Sequence, residues 1–262
     1  MNYVIRTIYS SITNVIKILK VIFLVSILTT YIEAQNSSTI VVITPHPDDA
    51  EASCGGFIAN SVSAGDKVII LTMTGGELGI WGKDLREARL IRINEANNAA
   101  KILGAEVQFF GAIDASLFVD SSNANKLRII LSKIQPSIVL APWPLDVHPD
   151  HQSAGILAWQ VFQEKEFSFE LYFYETTNTP HTKSFQFVPT NYIDITATAQ
   201  KKKEAALNHK SQNPEEWFYM YEELARVRGY EADIPYAEGY IKARNSSGLG
   251  KRSNLVKTTF SH

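Results

Sequence analysis

From Thr39 onward the chain alternates short, β-branched apolar runs with longer stretches in which apolar residues recur at helical spacing. The short runs are TIVVIT (39–44), KVIILTMT (67–74), EVQFFG (106–111), SIVLAP (137–142) and ELYFYE (170–175). The first four are apolar on both faces, the pattern of strands covered from both sides. Helices are predicted over 52–64, 84–103, 124–134 and 150–163. The second is the best marked: Ala88, Ile91, Ala96, Ala99, Ile102 and Leu103 fall near one stripe, and Gly104 stops it. Strands taking turns with helices predict one Rossmann-like α/β domain, a mainly parallel sheet with helices on both faces. That domain spans 35–244. Its last third reads as more helical, over 196–212 and 213–229, with Asn213 as N-cap and Pro214 in the first turn. The tail 245–262 has little periodicity and is predicted to be loose. No repeat, low-complexity stretch or interdomain linker interrupts the pattern.

The first 34 residues stand apart. Arg6, Lys17 and Lys20 lead into the apolar stretch VIFLVSILTTYI (21–32), polarity returns at Glu33, and Ala34 is a small residue suited to cleavage. This is the layout of a secretory signal peptide, which predicts an exported protein, periplasmic or secreted, with no stable membrane insertion once the segment is removed. The apolar core falls short of the roughly 20 residues that span a bilayer. If the segment is counted from Val15, with Lys17 and Lys20 snorkelling, an uncleaved membrane anchor is the alternative; a structural N-terminal helix is a third reading.

Composition changes this picture little. The chain has 262 residues, 45% apolar and 20% charged, with a formal charge of -2. That balance is ordinary for a globular protein and offers nucleic acid no basic footprint. Cys54 is the only cysteine, so no internal disulfide forms. It reads as a small helix filler rather than a nucleophile. An oligomer is compatible with all of this.

The chemistry concentrates where strands end. After the first strand comes PHPDDAE, after the second TGGELGIWG, and after the fourth APWPLDVHPDH. In open parallel α/β sheets such loops form the ligand-binding edge. Turn and helix-capping chemistry accounts for either His-Pro-Asp loop alone. Two of them at the ends of two buried strands argue for a site. His46 and Asp49, three residues apart, together with His151 from the other loop, make a ligand set suited to zinc, or to another divalent metal, with a position left open. A cation would also relieve the repulsion between Asp48 and Asp49, and the aspartate not binding it would take a proton from an activated water. His148, held by Asp150 or Asp146, would stabilise an oxyanion or protonate a leaving amine. Glu51 reads as a helix N-terminal charge. The pocket rim is expected from 80–86, 110–118 and the C-terminal helices, with Trp81, Trp143 and Trp217 as candidates for stacking on a sugar.

PHPDDAEASCGG together with HPDHQSAG resembles the PIG-L/LmbE-like family of zinc-dependent N-acetylglucosamine deacetylases. TGGELG, RINEANNAAKILG (92–104), KKKEAALNHKSQ and AEGY (237–240) extend the resemblance over nearly the whole mature chain, toward the bacterial branch that includes N-acetylglucosaminyl-malate deacetylases. The resemblance implies zinc held by His46, Asp49 and His151, Asp48 as general base, His148 as the electrophilic or acid residue, and Asp150 as its orienting partner. Glu77 and Arg92 would contact the sugar. It implies a substrate, small molecule or glycan, that carries N-acetylglucosamine. Export sits poorly with a cytosolic thiol precursor and favours an acetylated amino sugar outside the cytoplasm. The alternatives are a metal-dependent amidase or esterase with another substrate, an exported carbohydrate-binding protein without turnover, and an anchored enzyme acting on a lipid-linked sugar.

Overall fold

The computed structural model describes residues 19–23, 37–179, 182–183 and 186–244. Ser38–His262 forms one compact unit and Met1–Ser37 a separate one. Within the latter, 19–23 are helical; the rest of the predicted export segment, like the tail 245–262, lies outside the described residues. Among the described residues no helix is long and apolar enough to cross a membrane.

The five predicted strands are β1 (Thr39–Thr44), β2 (Lys67–Thr74), β3 (Glu106–Ala112), β4 (Ile138–Pro142) and β5 (Glu170–Tyr174). They pair in parallel in the order β3-β2-β1-β4-β5. Helices α1 (Asp49–Ser63), α2 (Leu85–Leu103), α3 (Ser121–Ile134) and α4 (Pro149–Phe162) connect β1 to β5. Alternate side chains of β1 serve opposite faces, as a strand's two-residue period requires. Val41 and Ile43 join Leu127 and Leu131 of α3 and Leu157 and Val161 of α4. Ile40 and Val42 pack with Cys54 and Ile58 of α1 and Ala99 and Leu103 of α2. The helix ends follow the expected chemistry. Asp84 caps α2 by accepting from the amides of Arg86 and Glu87, and Gly104 ends it at φ 83°.

Three expectations need correction. The first helix starts at Asp49 rather than 52, because Asp48 turns the chain sharply at φ 110°. The stretch 196–212 is not one helix: α5 (Ala199–Ala206) stops, and a short 3-10 turn follows at Lys210–Gln212. There Ser211 bonds through its amide and hydroxyl to the carboxylate of Glu95 on α2, at 2.8 and 2.6 Å, which the continued helix would forgo. The last third also holds strands. β6 (Thr177–Thr179) and β7 (Thr182–Lys183) form a small ribbon, while β8 (Asn191–Asp194) and β9 (Ala237–Lys242), separated by α6 (Pro214–Ala232), extend the main sheet antiparallel to seven strands.

Candidate active site

β1 lies at the centre of the sheet, with β2 on one side and β4 on the other. The chain leaves β1 and β4 toward opposite faces, so their following loops part and open a crevice at the carboxyl edge. The loop after β1 is pinned at its root. Thr44 Oγ1 donates to the carbonyl of His46, and Thr74, at the end of β2, donates through both amide and hydroxyl to the carbonyl of Pro45, all at 3.0 Å. Asp48 then occupies the left-handed region that non-glycine residues rarely adopt, a strain that persists only where surrounding contacts hold it.

At this edge His46 Nδ1, Asp49 Oδ2 and His151 Nε2 form a near-equilateral triangle, with sides of 3.2, 3.2 and 3.3 Å. Ligands about 2.0–2.1 Å from a tetrahedral zinc lie roughly 3.3–3.4 Å from one another. The triangle therefore fits such an ion. The outer nitrogens fit as well, since a metal-binding imidazole usually gives its second N–H to a carboxylate. His46 Nε2 lies 3.2 Å from both Asp114 and Asp150. His151 Nδ1 lies 3.4 Å from Asp146 and 3.1 Å from the hydroxyl of Thr176, which in turn bonds to Asp146.

Two other groupings, His46 with Asp114 and Asp150, and His46 with His148 and His151, also bring ligand atoms close together. The first is an orienting set rather than a cation cradle, because its carboxylates already accept backbone amides. Asp150 takes those of Ala115 and Leu117 at 2.8 and 3.1 Å, and Asp114 takes that of Leu78 at 2.9 Å. In the second, His148 has its Nδ1 occupied by the amide of Asp150 at 3.2 Å, where it caps α4. With Nδ1 accepting, the neutral ring carries its proton on Nε2. Burial and the neighbouring His46 and His151 hold the His148 pKa below the usual histidine value, so the ring is neutral near pH 7.

Asp48 faces a different partner. Its carboxylate receives Arg92 Nη2 at 2.8 Å, and that nitrogen also donates to the carbonyl of Pro47. Burial drives the Asp48 pKa up to about 6 even against the pull of Arg92. These groups open on a cavity of about 420 Å³. Its lining includes Asp48, Asp49, Asp114, His148 and His151, together with Leu78, Gln212 and, from α6, Trp217, Met220 and Tyr221.

Residues 41–162 match the family described as PIG-L, GlcNAc-PI de-N-acetylase. The chain carries a PIG-L family domain. The chain is similar to the diacetylchitobiose deacetylase of Thermococcus kodakarensis, 28% identical over 76% of this chain and 81% of that one. It is also 28% identical to 4-oxalmesaconate hydratase of Pseudomonas putida, over 76% and 86% of the two chains. The crystal structure of N,N'-diacetylchitobiose deacetylase from Pyrococcus horikoshii superposes with a TM-score of 0.70 at 26% identity, covering 80% of this chain and 85% of that one.

Within the PIG-L domain His46, Asp48, Asp49, His148, Asp150 and His151 come together, and Arg92 joins them. Three readings of single residues are corrected or refined. The side chain of Asp150 orients His46, and only its backbone amide reaches His148; Asp146 likewise takes the His148 amide at 2.9 Å while facing His151. Glu77 is buried against Arg89 at 3.3 Å and is not among the residues lining the cavity, which its neighbours Leu78 and Gly79 reach. Glu51 is a charge in the first turn of α1, as expected, but a buried one, 3.5 Å from the fully buried His209. Of the three tryptophans only Trp217 lines the cavity; Trp81 is 99% exposed, and Trp143 packs on Phe173 and Phe187. Cys54 is buried, and burial pushes its thiol pKa well up, which suits a filler. Asp114 was missed as a site residue. Its only signal was its place in FGAIDASLF, a strand-end loop expected at the rim.

Proposed function

We propose that the protein is a zinc-dependent hydrolase that removes the acetyl group from a substrate carrying N-acetylglucosamine. The observation that carries this reading is the His46–Asp49–His151 triangle, opening on the same cavity as Asp48 and His148. A divalent cation held by those three atoms would polarise the amide carbonyl and acidify a water. Asp48 takes the proton as that water adds to the carbonyl carbon; a carboxylate with a pKa of about 6 is ionised at neutral pH yet still basic enough to accept it. Arg92 fixes the direction of the Asp48 carboxylate. His148 presents its Nε2–H to the carbonyl oxygen as charge builds there, then assists protonation of the amine as the C–N bond breaks. Acetate and a free amino sugar leave.

The family description and the two diacetylchitobiose deacetylases support this chemistry on an amino sugar. The hydratase relative makes addition of water to another substrate the second reading. Three carboxylates on the cavity wall suit a polycarboxylate poorly. We place the activity outside the cytoplasm, on the basic and apolar pattern of the first 34 residues; the N-terminal sequence of the mature protein tests that placement. For the reaction, zinc-loaded protein is expected to release acetate from N,N'-diacetylchitobiose, to stop on chelation and to resume when metal is returned. Failure on every N-acetylglucosamine conjugate would overturn the reading, and sugar binding without acetate release would mark a carbohydrate-binding protein.

A further inference from the structure

We infer that the site selects an N-acetylamino sugar whose attached group is uncharged, a neutral glycan, and discriminates against conjugates bearing carboxylate or phosphate. This rests on the deacetylase reading and deepens it.

Consider first the charges that a substrate meets. Asp48, Asp49 and Asp114 line the cavity, and Arg92 is the only arginine or lysine among the described residues that line it. Arg92 is not free: its three nearest acceptors are the carboxylate of Asp48 and the carbonyls of Pro47 and Gly76. Arg89, the next cation toward the start of α2, is paired with Glu77 at 3.3 Å. A divalent cation in the triangle would offset the lining carboxylates and leave little attraction for a second anion. An anionic aglycone therefore loses its water here and gains no partner, which costs affinity.

The lining also carries a fixed aromatic and aliphatic group. Trp217 donates its ring N–H to the carbonyl of Gln212 at 2.9 Å and meets Tyr221 edge-on, with centroids 5.8 Å apart. Its ring is thus held in place beside Met220, as a surface for the C–H face of a pyranose. Leu78, at the mouth, is exposed and uncharged. Carboxylate acceptors together with an aromatic and aliphatic surface match a neutral sugar ring, which has hydroxyl donors at its edges and carbon on its faces.

The test compares acetate release from N,N'-diacetylchitobiose and from N-acetylglucosaminyl-malate by the zinc-loaded full chain. We expect kcat/KM at least about tenfold higher for the neutral disaccharide, with the rate on the malate conjugate insensitive to ionic strength, since no unpaired arginine or lysine is among the described lining residues. Leu78→Arg should narrow the ratio and introduce salt dependence on the malate conjugate. Equal or better turnover of the malate conjugate, falling steeply with salt, would overturn the inference. If neither substrate releases acetate, the deacetylase reading loses these two substrates and rests on the remaining N-acetylglucosamine conjugates. Calorimetric binding of the two compounds then decides charge preference independently, with tighter binding of the malate conjugate ruling the inference out.

Discussion

Arg92 Nη2 donates to the carboxylate of Asp48 at 2.8 Å while Nη1 donates to the carbonyl of Gly76 at 3.1 Å, so one guanidinium clamps the loop after β1 to the loop after β2. This clamp holds Asp48 at φ 110°, which a free chain avoids. Lysine keeps the charge but lacks the planar fork. Arg92→Lys is expected to lower kcat by about a hundredfold through misplacement of the base. Arg92→Met should also move the acid limb of the pH–rate profile upward. The sign follows from the causes acting on Asp48: burial, the largest, raises its pKa, Arg92 is the strongest influence lowering it, and removing Arg92 leaves only the weaker pull of His209 and His46 against burial and Asp49. A profile that keeps its acid limb in Arg92→Met would exclude the clamp as a tuner of Asp48.

Adjacent aspartates should separate cleanly in their effects. Asp49 supplies one corner of the triangle, whereas Asp48 points to Arg92. Asp48→Asn is expected to retain one equivalent of metal and lose about 10²–10⁴ in kcat, the range for a general base. Asp49→Asn should lose the metal itself. Metal content by elemental analysis beside acetate release distinguishes them, and an Asp48→Asn protein with full activity would remove Asp48 from the mechanism.

Much of this was legible in the sequence because buried parallel strands leave nearly continuous apolar runs, and their ends mark where a site sits. HPDD and HPDH thereby announced both loops. What was not legible depends on pairing across the fold. Asp150 follows His148 by two residues, yet its carboxylate turns to His46, 104 positions away, because the amides of Ala115 and Leu117 fix it there. Glu77 looked like a sugar contact among glycines, but Arg89, at the start of the second turn of α2, pairs with it and it is buried. β9 escaped because AEGYIK places Glu238 and Gly239 inside a strand, against the usual preferences. The amides of Gly56 and Phe57 on α1 and the ammonium of Lys202 on α5 hold Glu238 there.

Metal binding should release protons. Burial pulls the pKa of His46 and His151 down, but the surrounding carboxylates prevail, leaving His46 well above 6.5 and His151 at about 9 in the metal-free protein. Each ring must give up the proton on its inward nitrogen before it binds a cation, so zinc addition at pH 7 is expected to expel about two protons. Titration calorimetry in buffers of different ionisation enthalpy measures that number. The raised folded pKa values also mean that these two rings stabilise the metal-free fold fully below the unfolded value near 6.5 and lose that contribution as pH climbs through 9. Thermal melts of the metal-free protein should therefore fall between pH 7 and 9, while those of the zinc form hold. Absence of buffer dependence would mean that the rings are already neutral.

The last prediction concerns the scaffold that carries Asp49. Glu238 of β9 accepts from Lys202 at 2.7 Å, from the amides of Gly56 and Phe57 at 2.9 Å and from the hydroxyl of Tyr240 at 2.8 Å. Both ion-pair partners are almost wholly buried. Glycine allows the approach: a Cβ at Gly56 would lie 2.4 Å from Ile195 Cγ2, and one at Gly55 would lie 2.9 Å from Lys202 Cγ. Breaking a buried pair by removing one partner costs about 3–5 kcal/mol, because the other charge is stranded. The two partners are not equivalent here. Without Lys202 the carboxylate keeps three donors, whereas without the Glu238 charge the ammonium retains the distant Ser53 carbonyl at 3.4 Å. Glu238→Gln is therefore expected to destabilise the fold more than Lys202→Met, and adding Lys202→Met to Glu238→Gln should recover part of the loss. Denaturant titration of the three variants measures this, and equal single losses that simply add would show that the pair does not act as a unit.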